Sequence, residues 1–119
     1  MEIPEGKTKV TLDVLAEVLA ERMRQDKKWG EQNHPDIHPT IQGETGEDTC
    51  LNMGIPTARQ QKAWVDKCGP ENGAFADIIL EELCEAVEES DPAKRRKELI
   101  QIAAVSVSWV EAMDRRPKQ

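Results

Sequence analysis

A three-residue connection between two helical patterns constrains this chain more than any other feature of its sequence. The first pattern runs from about Asn72 to Ser90 and the second continues to about Met113, with a turn of only Ser90 to Pro92 between them. Asp91 followed by Pro92 is typical of an N-cap and a first-turn proline, so the second helix begins at once. A connection this short forces two helices into an antiparallel hairpin. We therefore expect the turn to fix which residues of the two helices lie opposite each other.

Two further helices are predicted upstream of the hairpin. Apolar residues recur at three- and four-residue intervals from about Thr11 to Lys28, with Thr11 as the N-cap and Gly30 at the end. A shorter helix is predicted from about Thr57 to Lys67, with Gly69 and Pro70 ending it. The stretch from Glu31 to Pro56 has no helical period, and we expect it to be either disordered or a lid or binding loop. The inward-facing candidates of the shorter helix are Ala63, Trp64 and Cys68.

The fold class follows from these patterns and from the scarcity of strand-forming residues. The chain has one phenylalanine, no tyrosine and almost no β-branched runs. A length of 119 residues indicates one domain, spanning residues 1–119. We expect an all-α bundle of four main helices. The helix after Pro92 is apolar on almost every side, and a monomer of this size could hardly cover it, so we expect a homodimer or homotetramer.

Charge and cysteine content exclude several classes of protein. The 23 acidic residues outnumber the 16 basic ones and give a net charge of −7, which argues against a duplex nucleic-acid partner and an anionic membrane surface. The chain has neither a membrane-length apolar run nor an apolar signal core at its start. Its three cysteines have no CxxC spacing, so neither a disulfide framework nor a zinc-thiolate site is indicated. A reducing, cytoplasmic location is expected.

The acidic face of the helix before the turn has two interpretations. Glu82, Glu85 and Glu89 share one face with Ile78, as in any amphipathic helix that exposes its charges to water. Glu98, on the next helix, instead shares a face with apolar residues, where a carboxylate needs a cation or an ion pair. The ion-pair alternative is Lys94 or Arg95, although we expect the basic first turn to be solvated. The apolar neighbours on that face are Ile102, Val105 and Trp109.

Counting outward from the turn favours a shared site. Glu85 lies six residues before Asp91 and Glu98 seven after it, while Glu82 lies nine before and Gln101 ten after. The four side chains therefore fall at two matching heights, one helical turn apart. Three carboxylates and an amide oxygen would converge, and carboxylates this close stay ionised only with cations between them. Hard oxygen ligands of this kind suit Mg²⁺ or Mn²⁺.

These residues resemble the MazG-like all-α nucleoside triphosphate pyrophosphohydrolases. The family carries EE-x-x-E on one helix and E-x-x-D on the next, and here Glu81–Glu85 and Glu98–Gln101 occupy those motifs. The run WGEQNH, from Trp29 to His34, is similar to the W-E-Q-x-H stretch of related dCTP pyrophosphatases. The resemblance covers most of the chain and is weakest from Asp36 to Pro56. The clear departure is Gln101, which stands where the family usually has aspartate and brings no charge.

The resemblance implies hydrolysis of a (deoxy)nucleoside triphosphate to the monophosphate and pyrophosphate. Glu82, Glu85 and Glu98 would be the catalytic residues that hold Mg²⁺ or Mn²⁺, with Gln101 as a further ligand. The resemblance also implies paired bundles and, through phage relatives of the MazZ type, a purine substrate such as dGTP. The alternative is a non-catalytic helical interaction protein, a pseudoenzyme with a solvated acidic face. The residues that would bind the nucleotide are Lys28, Trp29, Gln32 and His34.

Other candidate residues have simpler interpretations. The motif His34-x-Asp36-x-His38 offers transition-metal ligands, but the neighbouring prolines forbid a helix that would align the histidines. Trp29 can either stack on a base or pack under the loop that follows it. Trp64 and Trp109 are expected in the core.

Overall fold

Five α-helices and no strand occur in residues 6–117, the part of the chain that the computed structural model describes. The all-α prediction is confirmed, with one helix more than expected. None of these helices is long and apolar enough to cross a membrane. In chain order they are α1 (Lys7–Trp29), α2 (Gly46–Met53), α3 (Ala58–Cys68), α4 (Phe75–Glu88) and α5 (Pro92–Arg115).

The additional helix, α2, lies in the stretch that was expected to have no secondary structure, so that expectation is wrong for Gly46–Met53. Thr45 caps its N-terminus by accepting a hydrogen bond from the backbone N–H of Asp48, and acidic residues occupy its first turn. Gly54 ends it in the left-handed conformation, with φ of 78°. The ends of this helix are marked by its capping residues. Its eight residues are too few to show a helical repeat of apolar side chains.

The chain divides into two compact units, and α5 contributes to both. Within the described residues, one unit contains residues 6–34 and 106–117, and the other contains residues 35–105. The first unit therefore comprises α1 and the C-terminal part of α5, whereas the second contains α2, α3, α4 and the N-terminal part of α5. The prediction of a single domain over residues 1–119 stays a prediction.

In the first unit, α1 begins four residues earlier than expected, and Thr11 is not its N-cap. The helix starts after Gly6, whose φ of 80° favours glycine, and Thr11 lies inside it. The Thr11 hydroxyl instead donates to the carboxylate of Glu111 on α5 at 3.1 Å. Gly30 ends α1 as predicted, with φ of 69°.

In the second unit, α4 packs against α2 and α3 around a small core. Cys50 and Cys84 are fully buried there together with Val87. Gly46 permits the close approach of α2 to α4, because a Cβ at this position would lie 2.6 Å from the backbone of Glu88. The partly buried side chains that surround this core are Ile37, Ile55, Ala58, Leu80 and Leu83.

The inward face of α3 differs from the prediction. Thr57 and Gln60 form a capping box at its start, and Gly69 ends it as expected. Ala63 and Trp64 are exposed, so placing them in the core was wrong, and Cys68 is only half-buried. The buried face instead carries Thr57 and Gln61, and the Gln61 amide donates to the carbonyl of Asp77 on α4 at 3.0 Å. Gln61, hydrogen-bonded to α4, and the capping residue Thr57 therefore occupy the buried positions that apolar residues were expected to fill.

The expectation that α5 is buried on almost every side is wrong for a single chain. Leu99 and Ile100 are 51% and 57% exposed, and Met113 is 54% exposed. Trp109, expected in the core, is half-buried. The apolar surface that led to the oligomer prediction is therefore real, and the oligomer itself stays a prediction.

Candidate functional site

The turn between α4 and α5 sets the geometry of the candidate site, and all its residues belong to the second unit. Glu88 ends α4 and Pro92 begins α5, which leaves three residues between the helices. Asp91 acts as the N-cap that the sequence predicts, because its Oδ1 accepts the backbone N–H of Ala93 at 2.9 Å. The connection between the two helices is therefore short and capped, as the sequence predicts.

Three carboxylates meet between these helices at the heights predicted from the register. One oxygen each from Glu82, Glu85 and Glu98 lies within 4.8 Å of the other two. All three side chains are half-buried. Within residues 6–117, no other group of three or more histidine, cysteine or acidic side chains comes together in this way. We refer to Glu82, Glu85 and Glu98 as the carboxylate cluster.

Gln101 joins the cluster, but with the opposite end of its amide from the one expected. In the amide orientation that satisfies its hydrogen bonds, the nitrogen donates to Oε2 of Glu98 at 3.0 Å and to Oε2 of Glu82 at 2.9 Å. The amide thus bridges α4 and α5 as a donor. Two acceptor oxygens draw the N–H groups toward them in this arrangement, and the role of Gln101 as an oxygen ligand of a cation stays a prediction.

The electrostatics of the cluster favour protonation of Glu82 and Glu85 in the absence of a cation. Burial, a hydrogen bond with Glu98 and the negative charges of Glu98 and Glu82 raise the pKa of Glu85 to about 7. Burial, together with the hydrogen bond and charge of Glu98, also raises the pKa of Glu82. Like charges at this separation cannot all remain ionised unless a proton or a cation lies between them. The carboxylates of the cluster therefore repel one another, and a bound proton or a bound cation reduces this repulsion.

The ion-pair alternative for Glu98 does not form. Arg95 pairs with Asp36 at 2.7 Å instead, and the exposed Lys94 makes no ion pair with Glu98 within the described chain. Arg95 is also not part of a solvated first turn as expected, because only 21% of its side chain is exposed. Glu98 therefore has the cluster as its polar environment.

The second candidate region is the end of α1 and the loop that follows it, in the first unit. Trp29 is 59% exposed rather than packed under the loop, and the Lys28 ammonium lies 4.6 Å from the centre of its ring. Trp29 lines an open cavity of about 560 Å³ together with Gln32 and His34. Three of the four predicted nucleotide-binding residues thus line one hollow, which Glu31 and Asn33 also line, whereas Lys28 contacts the Trp29 ring without lining it.

Two residues of the histidine motif, Asp36 and His38, have polar partners within the second unit. Asp36 is engaged by Arg95, and the imidazole Nδ1 of His38 lies 2.7 Å from the Thr40 hydroxyl. His34, the first residue of the motif, lines the cavity beside Trp29.

The contacts of two polar residues near the site, Glu88 and Arg95, were not predicted from the sequence. The Glu88 carboxylate accepts the Ala58 backbone N–H at the start of α3 and lies 3.5 Å from the Cys50 thiol. Burial and the adjacent Glu88 raise the pKa of Cys50 to about 12, which makes this thiol a poor nucleophile. Arg95 is the other, and its only sequence signal is its position three residues before Glu98, on the same helical face.

Comparisons of the chain with protein-family models, with curated proteins and with solved structures find no match. Any assignment of function therefore rests on the chemistry of these two regions and on the motifs that they carry.

Proposed function

We propose that this protein is a divalent-cation-dependent hydrolase that cleaves a nucleoside triphosphate between its α and β phosphates. The observation that carries the proposal is the carboxylate cluster, whose three oxygens lie within 4.8 Å of one another on a tightly joined helix pair. The resemblance of these motifs to the MazG-like pyrophosphohydrolases selects the reaction among those that such a cluster can support.

The donor set fits a hard divalent cation. Glu82, Glu85 and Glu98 supply three carboxylate oxygens, the ligand type that Mg²⁺ and Mn²⁺ prefer. Burial contributes most to the raised pKa of Glu85, and the charges of Glu98 and Glu82 add a repulsion that a bound cation would relieve. Gln101 would add a fourth oxygen if its amide rotated by about 180° about its last side-chain bond, since nitrogen and oxygen then exchange places.

The residues of the chain would perform complementary tasks in this reaction. Glu82, Glu85 and Glu98 would hold the cation, which when bound neutralises phosphate charge and lowers the pKa of a coordinated water. Lys28, Gln32 and His34 would contact the nucleotide, with Trp29 offering a flat ring for the base. The buried and protonated Cys50 would not act as a nucleophile, so the attack would come from water.

We extend the proposal to a purine deoxynucleotide such as dGTP, on the resemblance to the phage MazZ type. A large exposed indole is compatible with a purine, because a bicyclic base offers more stacking area than a pyrimidine. Turnover of nucleotides would place the protein in the cytoplasm.

We also propose a homodimer or homotetramer, since the first unit exposes more apolar surface than a monomer usually leaves in water. The side chains concerned form a stripe along α1 and continue on the C-terminal part of α5. The exposed large apolar residues there are Val10, Leu12, Leu15, Val18, Leu19 and Met23 on α1, and Val110 and Met113 on α5.

The test is a pyrophosphate-release screen over all ribo- and deoxynucleoside triphosphates, with Mg²⁺ and with Mn²⁺. Turnover of at least one nucleotide that disappears with EDTA and in Glu98→Gln would support the proposal. Absence of release from every nucleotide, with either cation, would contradict it and favour a helical interaction protein with an acidic face. Glu89→Gln serves as the matched control, because Glu89 lies at the end of α4 outside the cluster.

A further inference from the structure

The side chain of Arg95 connects three separate parts of the second unit. Its Nε donates to the carbonyl of Ala86 at 2.9 Å, and one terminal nitrogen donates to the carbonyl of Glu89. The other terminal nitrogen lies 2.7 Å from Oδ2 of Asp36. One guanidinium on the first turn of α5 thus binds the end of α4 and the loop after Pro35.

The two carbonyls at the end of α4 need a hydrogen-bond donor from outside that helix. Because α4 ends at Glu88, the carbonyls of Ala86 and Glu89 have no N–H of a following turn to accept. A planar guanidinium can satisfy both at once, and its positive charge is favourable at the C-terminal end of a helix dipole. The neighbouring Lys94 and Arg96 are exposed.

This contact lies close to the carboxylate cluster along both helices. Arg95 precedes Glu98 by three residues, on the same face of α5. On α4, its acceptor Ala86 directly follows Glu85. Arg95 therefore connects α4 and α5 close to the cluster, where the distance between the two helices decides whether the three carboxylates meet.

We propose that Arg95 is a positioning residue that holds Glu98 against Glu82 and Glu85 and thereby builds the cation site. The inference rests on the proposed function, because it assigns Arg95 a role in the same site. Arg95 touches neither cation nor substrate in this role. The carbonyl contacts carry it, whereas the pair with Asp36, a side chain that is 70% exposed, contributes little.

Electrostatic repulsion and the positioning role predict opposite effects of removing the Arg95 charge on Mn²⁺ binding. A cation one turn from the cluster repels Mn²⁺, so its loss alone would tighten Mn²⁺ binding. If Arg95 acts by holding the helices together, its loss will weaken Mn²⁺ binding instead. The direction of the change therefore separates the two explanations.

The experiment measures the dissociation constant of Mn²⁺, added alone, by the electron paramagnetic resonance signal of the free ion. We expect Arg95→Met to raise this constant at least tenfold at a temperature well below its melting point. Arg95→Lys keeps the charge but reaches fewer acceptors, so we expect a smaller rise. Asp36→Asn and the exposed control Arg96→Met should stay within about twofold of the wild type, since neither removes a carbonyl contact.

Three outcomes overturn part of the account. An unchanged or lower constant in Arg95→Met, with Mn²⁺ bound by the wild type, would overturn the positioning role and leave the proposed function intact. A wild type that binds no Mn²⁺ would overturn the proposed function and the inference with it. If Arg95→Met does not fold, Arg95→Lys decides, and an unchanged Mn²⁺ constant in that variant overturns the positioning role.

Discussion

The two regions assigned to function are built in contrasting ways. The carboxylate cluster lies on two helices joined by three residues, and its side chains are half-buried and bonded to one another. The segment from Trp29 to His34 follows a helix end, and its side chains line an open hollow. Its contacts are local ones, such as the Lys28–Trp29 stacking and a 3.0 Å hydrogen bond from Asn33 to Glu31.

On the proposed function, the two regions would serve different parts of the substrate. A cation and phosphates require fixed oxygen positions, which side chains on two helices joined by three residues would supply. A base requires a flat apolar face and adaptable polar contacts, which an open loop supplies. Substitutions in the cluster should therefore change chemistry and stability together, whereas substitutions in the loop should change substrate binding alone.

The largest effect is expected from Glu85→Gln and Glu98→Gln. Each removes one charge while preserving shape, so we expect pyrophosphate release to fall at least a hundredfold. Because mutual repulsion also falls, the metal-free variants should be as stable as the wild type or more stable. Steady-state kinetics and thermal melts in EDTA measure the two expectations. Full turnover in either variant would show that the cluster is not the catalytic site.

The corresponding substitution in the loop is Trp29→Ala. Loss of a stacking contact of about 1–3 kcal/mol should raise KM by about tenfold to a hundredfold, with kcat largely kept. The melting point should hardly change, because the ring is 59% exposed. Trp64→Ala, which removes another exposed indole on α3, is the control. If Trp29→Ala keeps the KM and kcat of the wild type but melts at a lower temperature, Trp29 has a packing role. The loop would then not differ from the carboxylate cluster in the way described above.

A smaller effect is expected from Gln101→Asp, which sharpens the account of the cluster. The carboxylate adds a charged ligand and removes the amide donors that now bridge Glu82 and Glu98. We expect the Mn²⁺ dissociation constant to fall severalfold and the metal-free protein to lose about 1–2 kcal/mol of stability. Isothermal titration and denaturant melts measure both. Ala103→Asp adds the same charge at an exposed position of α5, and an equal effect there would argue against a role for Gln101.

The smallest effect is a pH dependence of stability that Glu85 introduces in the absence of metal. Its pKa is about 7 in the folded chain, against an ordinary value of 4.5, so the folded protein keeps a proton that the unfolded chain releases. Stability from this group is therefore complete below pH 4.5 and is lost as the pH rises toward 7. The difference in unfolding free energy between wild type and Glu85→Gln should change by about 1 kcal/mol between about pH 5 and 8. If the difference in unfolding free energy does not vary with pH, the raised pKa of Glu85 would be contradicted.

The sequence predicts the hairpin and its cluster because both depend on regular geometry. Helical period and a three-residue turn are sufficient to place Glu85 opposite Glu98, and Asp91 caps α5 as its position indicates. Helix ends marked by glycine, at Gly30 and Gly69, are predicted equally well. These features depend on neighbours in the sequence or on a simple count along it.

The remaining features depend on contacts that no local pattern encodes. Gln61 is buried because α4 offers it a carbonyl, and Trp64 is exposed because that face of α3 has no partner in the described chain. The amide orientation of Gln101 depends on the two carboxylates that it meets. Arg95 looks like one of four basic residues in a first turn until the end of α4 is placed beside it.

The central claim is that Glu82, Glu85 and Glu98 together bind a divalent cation, and thermal melting at about pH 8 tests it most directly. Millimolar Mg²⁺ or Mn²⁺ should raise the melting temperature of the wild type by several degrees, because a cation that binds only the folded state stabilises it. The variant with all three residues changed to glutamine should melt at the same temperature with and without the cation. An unchanged wild-type melt, or an equal gain in the triple variant, would contradict the claim.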